Sequence, residues 1–148
     1  MSVVFQRTVS PADGEVAEAL AAFSEAASAA HIPDRARRDL LVILDELLAN
    51  IVMHSGVSSA GSLAQVTVTR RDATLEVEVR DDGPPFDPLA QAEPDTTLSA
   101  ADRPIGGLGL HLVRQLSDEV HYERHGQQNV LNFIKRMPDT DDANQRGS

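Results

Sequence analysis

The sequence contains no cysteine and no tryptophan, and aromatic residues make up only 3% of its 148 residues. The lack of cysteine excludes disulfides, thiol catalysis and thiolate metal sites, and it fits a reducing compartment. Because aromatic side chains are scarce, a core built from the 41% of hydrophobic residues must be largely aliphatic. That hydrophobic content also excludes a disordered chain.

Positive charge and long apolar runs are scarce as well. Thirteen Lys and Arg residues stand against 23 Asp and Glu residues, which gives a net charge of −10. Such an acidic surface repels phosphate backbones and anionic lipid, so we expect no direct nucleic-acid or membrane binding. No apolar run approaches the roughly 18 residues of a membrane span, and residues 1–9 lack a signal-peptide pattern. We therefore expect a cytoplasmic protein.

The first half of the chain shows helical periodicity. After a short strand at 3–9, Ser10 provides an N-cap for a helix whose apolar residues recur at steps of three and four. The Ile-Pro pair at 32–33 interrupts this pattern, and Asp34 caps a second helix that extends to about His54. The apolar face of that helix comprises Leu40, Ile43, Leu44, Leu47, Leu48 and Ile51.

The second half shows a period of two, which is typical of strands. The predicted elements are strands at 66–69 and 75–79 with a turn at 71–73, a helix over 108–116, and strands at 120–124 and 130–136 with a turn at 125–129. This order predicts an α+β fold with helices on one face of the sheet.

A segment without clear period interrupts this half at 82–104. It carries five prolines, so we predict a long loop of the kind that often forms a lid. We expect a single domain at 1–137, followed by a polar, disordered tail at 138–148.

The first segment suited to chemistry lies on the second helix. Glu46 and Asn50 project from one face, about 40° apart, because four residues overshoot a turn of 3.6 residues. Asn50 offers a neutral oxygen ligand to Mg²⁺, and Glu46 can accept the proton of an attacking hydroxyl. The same spacing is also typical of the solvated rim of an ordinary amphipathic helix.

The second segment lies where a predicted strand ends at Asp81. Gly83 follows and permits a turn or the close approach of a ligand. A carboxylate here can accept a hydrogen bond from the exocyclic amine of adenine, whereas guanine presents an oxygen acceptor and is repelled. An ordinary turn is the alternative interpretation.

The third segment is the glycine-rich run at 106–109, before a predicted helix. Backbone N–H groups of such a run can converge on phosphate near the positive end of the helix dipole. The run is neither a Walker loop nor a dinucleotide fingerprint, because the required lysine and third glycine are missing.

In this order the three segments resemble the N box, G1 box and G2 box of the GHKL, or histidine kinase-like, ATPases. Within that family the chain is most similar to the bacterial anti-sigma factor serine/threonine kinases of partner-switching systems. The resemblance extends from the first strand to Arg136. The residues that carry it are Glu46, Asn50, Asp81, Gly83, Phe86, Asp87, Pro88, Gly107, Gly109 and Leu110.

The resemblance implies the Bergerat fold, a two-layer α/β sandwich with helices on one face of a mixed, largely antiparallel sheet. It implies ATP and Mg²⁺ as cofactors, and γ-phosphoryl transfer to a Ser or Thr of a small anti-anti-sigma partner of the STAS type. A sigma factor as second partner and a homodimer are also implied. The implied roles are general base for Glu46, Mg²⁺ ligand for Asn50, adenine binding for Asp81, and phosphate binding for Gly107, Leu108 and Gly109.

Two features depart from the family pattern. A cation should approach the γ-phosphate, and Arg103 is the candidate, although similar kinases place this arginine two residues later, where Ile105 stands. Pro85 replaces the second glycine of the sensor-kinase motif, so Pro84 and Pro85 stiffen the base of the predicted lid.

Other polar residues have simpler interpretations. The histidine spacing predicts no metal site, because His121 and His125 straddle a predicted strand end, where their rings do not align. The basic cluster Arg35, Arg37 and Arg38 opens the second helix, where positive charge opposes the dipole. It either docks an acidic partner or forms a solvated turn.

Two other functions stay open. A binding module would retain the nucleotide pocket and sequester a regulator without kinase activity; the presence of Glu46 argues for the enzyme. The catalytic part of a sensor histidine kinase is disfavoured, because about 33 residues before the second helix are too few for a phosphoacceptor helical hairpin.

Overall fold

The computed structural model describes residues 2–10, 14–54, 64–83 and 113–137, with the backbone alone at 53 and 54. Its elements in chain order are β1 (Ser2–Val9), α1 (Glu15–Ala29), α2 (Asp34–His54), β2 (Ala64–Arg71), β3 (Thr74–Asp81), β4 (Glu119–His125) and β5 (Gln128–Arg136). One helical turn at 113–116 precedes β4. The predicted α+β fold is confirmed.

Several predicted features lie outside the described residues. They are the loop beyond Gly83, the start of the helix predicted at 108–116, and the tail at 138–148. The single domain at 1–137 therefore stays a prediction.

The five strands form one sheet in the order β1-β2-β3-β5-β4. Every pairing between the described strands is antiparallel, so the mixed sheet that the resemblance allowed is not realised among them. Asp72 adopts a left-handed conformation (φ 54°) in the tight turn between β2 and β3. This turn lies where the alternating pattern predicts it.

Two predicted boundaries are wrong. The chain enters α1 through Gly14, whose φ of 84° is left-handed, so α1 begins at Glu15 and not directly after Ser10. Glycine adopts this conformation without the steric penalty that other residues incur. The second hairpin turn is also tighter than predicted: His125 and Gln128 form the last pair of β4 and β5, and Gly126 has a φ of 61°.

The core lies between the helices and one face of the sheet. The predicted apolar face of α2 is buried from Leu40 to Leu48, and Ile51 packs against the core at its margin. The strands contribute alternate residues, as their period of two predicts. The sheet residues of this core include Val66, Val68, Leu75, Val77, Val79, Leu131 and Phe133.

Contacts along α1 show that it runs antiparallel to β1. Near the start of α1, Glu18 lies 3.8 Å (Oε2 to Nη2) from Arg7, which is near the end of β1. One turn further along, Phe23 packs edge-on against Phe5, with ring centroids 5.6 Å apart. Because β1 and β3 each pair antiparallel with β2, α1 also runs opposite to β3.

The short link at 30–33 joins α1 to α2, and Arg37 near the start of α2 donates to Ser24 on α1, so we infer that α2 packs against α1 in the opposite direction and runs parallel to β3. An ion pair near the start of α2 supports this direction: Asp39 Oδ2 lies 2.7 Å from Lys135 Nζ, and Lys135 pairs with Leu75 at the start of β3. The carboxyl ends of α2 and β3 therefore lie at the same end of the two-layer structure.

Candidate functional site

Asn50 is the buried polar side chain near the end of α2. It is 4% exposed, and its Nδ2 donates a hydrogen bond of 2.8 Å to the carbonyl oxygen of Glu46. That bond engages the amide nitrogen and not the carbonyl oxygen Oδ1. Asparagine has a low helix propensity, and burying its amide group gives no hydrophobic stabilisation. The placement of Asn50 therefore indicates a need for its side chain other than helix formation.

Glu46 lies one turn earlier on the same helix and is half-buried. Among the described residues, no hydrogen bond or ion pair involves its carboxylate, although its carbonyl oxygen accepts from Asn50. Glu46 and Asn50 lie about one turn apart on the same side of α2, as their spacing predicts. Within the described part of the chain, this carboxylate is available to a ligand.

Asp81 is the last residue of β3 and shares the helix-facing side of the sheet with Val77 and Val79. Its Oδ1 accepts a hydrogen bond of 2.9 Å from the backbone N–H of Gly83, which closes the turn after the strand. The same oxygen accepts a bond of 3.1 Å from Asn129 Nδ2. Among the described residues, no hydrogen bond involves Oδ2.

Three residues that the sequence did not single out complete this end of the sheet. Asn129 pairs with Asp81 across the strands and is 6% exposed. Its Oδ1 accepts hydrogen bonds from Tyr122 Oη (2.6 Å) and Arg124 Nη1 (3.1 Å). Arg124 Nη1 also donates to the carbonyl oxygen of Gly83 (2.8 Å). We name Asp81, Asn129, Tyr122, Arg124 and Gly83 the rim network.

Only the pairing register of β3 with β5 brings the residues of the rim network together, so a correct prediction of that register was needed to find them. The sequence pattern predicts a turn at Asn129, whereas this residue belongs to β5 and faces the helices together with Leu131. A shorter turn would have put a polar residue directly opposite Asp81. Single-sequence periodicity does not determine that pairing.

We infer from the directions of α2 and β3 that Asn50 and Asp81 lie at the same end of the space between the layers. Asn50 lies near the carboxyl end of α2, Asp81 lies at the carboxyl end of β3, and these elements run parallel on facing layers. The proposed residues Arg103, Gly107, Leu108 and Gly109 lie outside the described residues, as do residues 84–88.

The histidines of β4 lie on the other face of the sheet. His121 and His125 flank Glu123 on alternate positions of one strand, so the expectation that their rings cannot share a face is wrong. The hydrogen bond from His125 lowers the pKa of the Glu123 carboxyl below its ordinary value, with burial opposing the shift. Within the described ranges, no cluster of three or more ligating side chains could hold a metal ion.

The basic residues at the start of α2 divide into two groups. Arg37 donates to Ser24 Oγ on α1 and to Asp34 Oδ1, both at 3.1 Å, so it joins the two helices. Arg35 and Arg38 are exposed on α2. Neither described helix is long and apolar enough to cross a membrane.

These observations define a two-layer α+β protein with a carboxamide and a carboxylate at one end of the interlayer space. The family model of the histidine kinase-like ATPase domain matches residues 9–135. The chain therefore belongs to the histidine kinase-like ATPase family.

Two curated relatives are kinases or anti-sigma factors by name. The chain is 29% identical over 97 residues to the serine/threonine-protein kinase BtrW of Bordetella bronchiseptica, covering 66% of this chain and 68% of that protein. It is 20% identical over 99 residues to the anti-sigma F factor of Priestia megaterium, covering 66% and 67% respectively.

Solved structures support the fold. A Mycobacterium tuberculosis protein with RsbU and RsbW domains superposes with a TM-score of 0.65 at 15% identity, over 90% of this chain and 32% of that one. The chain thus spans about a third of that protein. A chain of the SiaB–SiaC complex from Pseudomonas aeruginosa superposes with a TM-score of 0.62 at 13% identity, over 90% and 89%.

Proposed function

We propose that this protein is an ATP-dependent serine/threonine protein kinase that also acts as an anti-sigma factor. Membership of the histidine kinase-like ATPase family supports ATP binding, and the names of the two curated relatives support both the kinase and the anti-sigma role. The observation that carries the proposal is the position of Asn50 near the carboxyl end of α2 and of Asp81 at the carboxyl end of β3.

Asp81 is proposed to bind the adenine base. Its Oδ1 is occupied by Gly83 and Asn129, so Oδ2 is the oxygen that accepts from the exocyclic amine. Gly83 leaves the backbone beside the base without a side chain.

Asn50 is proposed to hold Mg²⁺ through Oδ1. The residue fits this ion, because Mg²⁺ prefers oxygen ligands, and the amide nitrogen already faces the helix backbone. When bound, Mg²⁺ would neutralise charge on the phosphates. Backbone N–H groups at Gly107, Leu108 and Gly109 and the guanidinium of Arg103 are proposed to bind the same phosphates.

Glu46 is proposed as the general base. The Ser or Thr hydroxyl oxygen forms a bond to the γ-phosphorus while the bond from that phosphorus to the β–γ bridging oxygen breaks, and ADP leaves. The hydroxyl proton passes to the Glu46 carboxylate, which no described residue occupies. The proposed substrate is a small anti-anti-sigma protein of the STAS type. A homodimer, a sigma factor partner and a cytoplasmic location complete the proposal.

A phosphorylation assay tests the enzyme against a binding module that lacks kinase activity. The wild-type protein is incubated with Mg²⁺, radiolabelled ATP and a candidate partner of the STAS type. Glu46→Ala should reduce phosphate on the partner by about 100-fold or more, the usual size of a general-base effect, while ATP affinity is kept. The exposed neighbour variant Asp45→Ala is the control and should retain full activity.

The binding module predicts a different pattern. The wild type would then bind ATP and the partner but leave no phosphate on it. Equal phosphorylation by wild type and Glu46→Ala would keep the kinase and reject Glu46 as its base.

A further inference from the structure

We propose that Asn129, held by Tyr122 and Arg124, is a positioning residue that orients the side chain at position 81 and thereby determines which purine the site accepts. This inference rests on the proposed nucleotide binding and assigns a role to residues outside the family's motif segments.

The hydrogen bonds fix the orientation of the Asn129 amide. Arg124 has only donors, so the atom of Asn129 that lies 3.1 Å from Arg124 Nη1 must be the acceptor Oδ1. The hydroxyl of Tyr122 donates to the same oxygen at 2.6 Å. The amide nitrogen must then point to Asp81, where it donates at 3.1 Å. If the amide were flipped, its NH₂ group would face the N–H donor of Arg124, and its oxygen would face the Asp81 carboxylate.

Arg124 ties this arrangement to the surrounding backbone. Its Nη1 donates to the carbonyl oxygen of Gly83, and its Nε donates to the carbonyl oxygen of Gly126 at 3.2 Å. One guanidinium therefore joins the turn after β3, the turn between β4 and β5, and the side chain of Asn129. Five hydrogen bonds of 2.6–3.2 Å thus join neighbouring strands and the two adjacent turns.

The two oxygens of the Asp81 carboxylate therefore have different surroundings. Oδ1 receives two donors, from Gly83 and Asn129, whereas no described residue donates to Oδ2, which is the oxygen proposed to contact the ligand. The ligand therefore meets an acceptor in a fixed place, which suits the 6-amino group of adenine and rejects a 6-oxo group.

The same two donors dictate how an asparagine would sit at position 81. Its carbonyl oxygen would replace Oδ1, because the opposite orientation would set two N–H donors against the NH₂ group. The NH₂ group would then occupy the place of Oδ2 and present a donor to the ligand. Asp81→Asn should thus convert an adenine site into a site that prefers 6-oxo purines.

The test compares the dissociation constants of Mg·ATP and Mg·ITP, measured by isothermal titration calorimetry on the full chain. Inosine triphosphate differs from ATP in having a 6-oxo group and an N1–H where ATP has a 6-amino group and an unprotonated N1. The wild type should prefer ATP by about tenfold or more, the typical effect of one lost polar contact. Asp81→Asn should reverse that order.

Removing one of the two orienting donors should weaken the discrimination. In Asp81→Asn combined with Asn129→Ala, the ratio of the two dissociation constants should fall by about threefold or more relative to Asp81→Asn alone, because only the N–H of Gly83 then orients the amide at position 81. Combining Asp81→Asn with Tyr122→Phe keeps the ring and should narrow the ratio in the same direction. The control is Asn132→Ala, the same residue type on the opposite face of β5, which should leave the wild-type preference unchanged.

The outcomes separate this inference from the proposed function. If the wild type binds neither nucleotide, both are overturned. If it binds ATP and Asp81→Asn loses both nucleotides equally, or gives the same ratio with and without Asn129, the positioning role is overturned and the proposed function stands.

Discussion

At the residue scale, the least expected feature is the buried amide of Asn50 inside α2. The carbonyl oxygen of Glu46 already receives a donor from the α-helical ladder, so the second donor from Asn50 adds little to helix stability. Buried polar groups that contribute little to folding are found where a ligand uses them.

Asn50→Ala should therefore separate binding from stability. We expect loss of Mg·ATP binding because the oxygen ligand is gone. Folding stability should change by less than about 1 kcal/mol, since alanine has the higher helix propensity and the lost amide bond is redundant. Calorimetric titration and thermal unfolding measure the two effects. An unchanged ATP affinity would argue against Asn50 as the metal ligand.

The sequence identified Glu46, Asn50 and Asp81 because each falls in a short motif with a fixed spacing. It did not identify Tyr122, Arg124 and Asn129. These three act through hydrogen bonds to a strand about fifty residues earlier, and only the register of β3 against β5 brings them together.

At the element scale, prediction succeeded where one periodicity covers a whole element. The amphipathic pattern of α2 and the alternation of β2 and β3 gave elements close to those observed. It failed at boundaries controlled by single glycines, at the start of α1 and in the second hairpin turn. Left-handed glycines have no periodic signature.

A polar contact between α2 and the sheet supplements the apolar core: the ion pair of Lys135 with Asp39, whose side chains are 16% and 22% exposed. Lys135 Nζ also donates to the carbonyl oxygen of Leu116 at 2.7 Å. We expect Lys135→Ala to reduce the free energy of unfolding by about 2 kcal/mol, because it leaves a mostly buried carboxylate and a carbonyl without their donor.

Arg136→Ala is the matched control for this prediction, measured by chemical denaturation. Arg136 forms an exposed pair with Glu119 at 3.8 Å, so its loss should change stability by no more than about 0.5 kcal/mol. Equal effects of the two variants would show that Lys135 does not anchor the helix.

At the scale of the whole molecule, the antiparallel connections are the reason to propose that two distant motifs share a site. The chain runs along β1, returns along α1 and turns again into α2, which therefore advances in the same direction as β3. Helix order and strand order are long-range properties, so the sequence could suggest them only through its family resemblance. The proposed nucleotide site depends on the parallel direction of α2 and β3.

The most direct test is a crystal structure of the full chain with Mg²⁺ and a non-hydrolysable ATP analogue. The account predicts one nucleotide at the carboxyl ends of α2 and β3, with its 6-amino group within hydrogen-bond distance of Asp81 Oδ2 and its metal bound by Asn50 Oδ1. A nucleotide that touched only one of these side chains, or bound elsewhere, would contradict it.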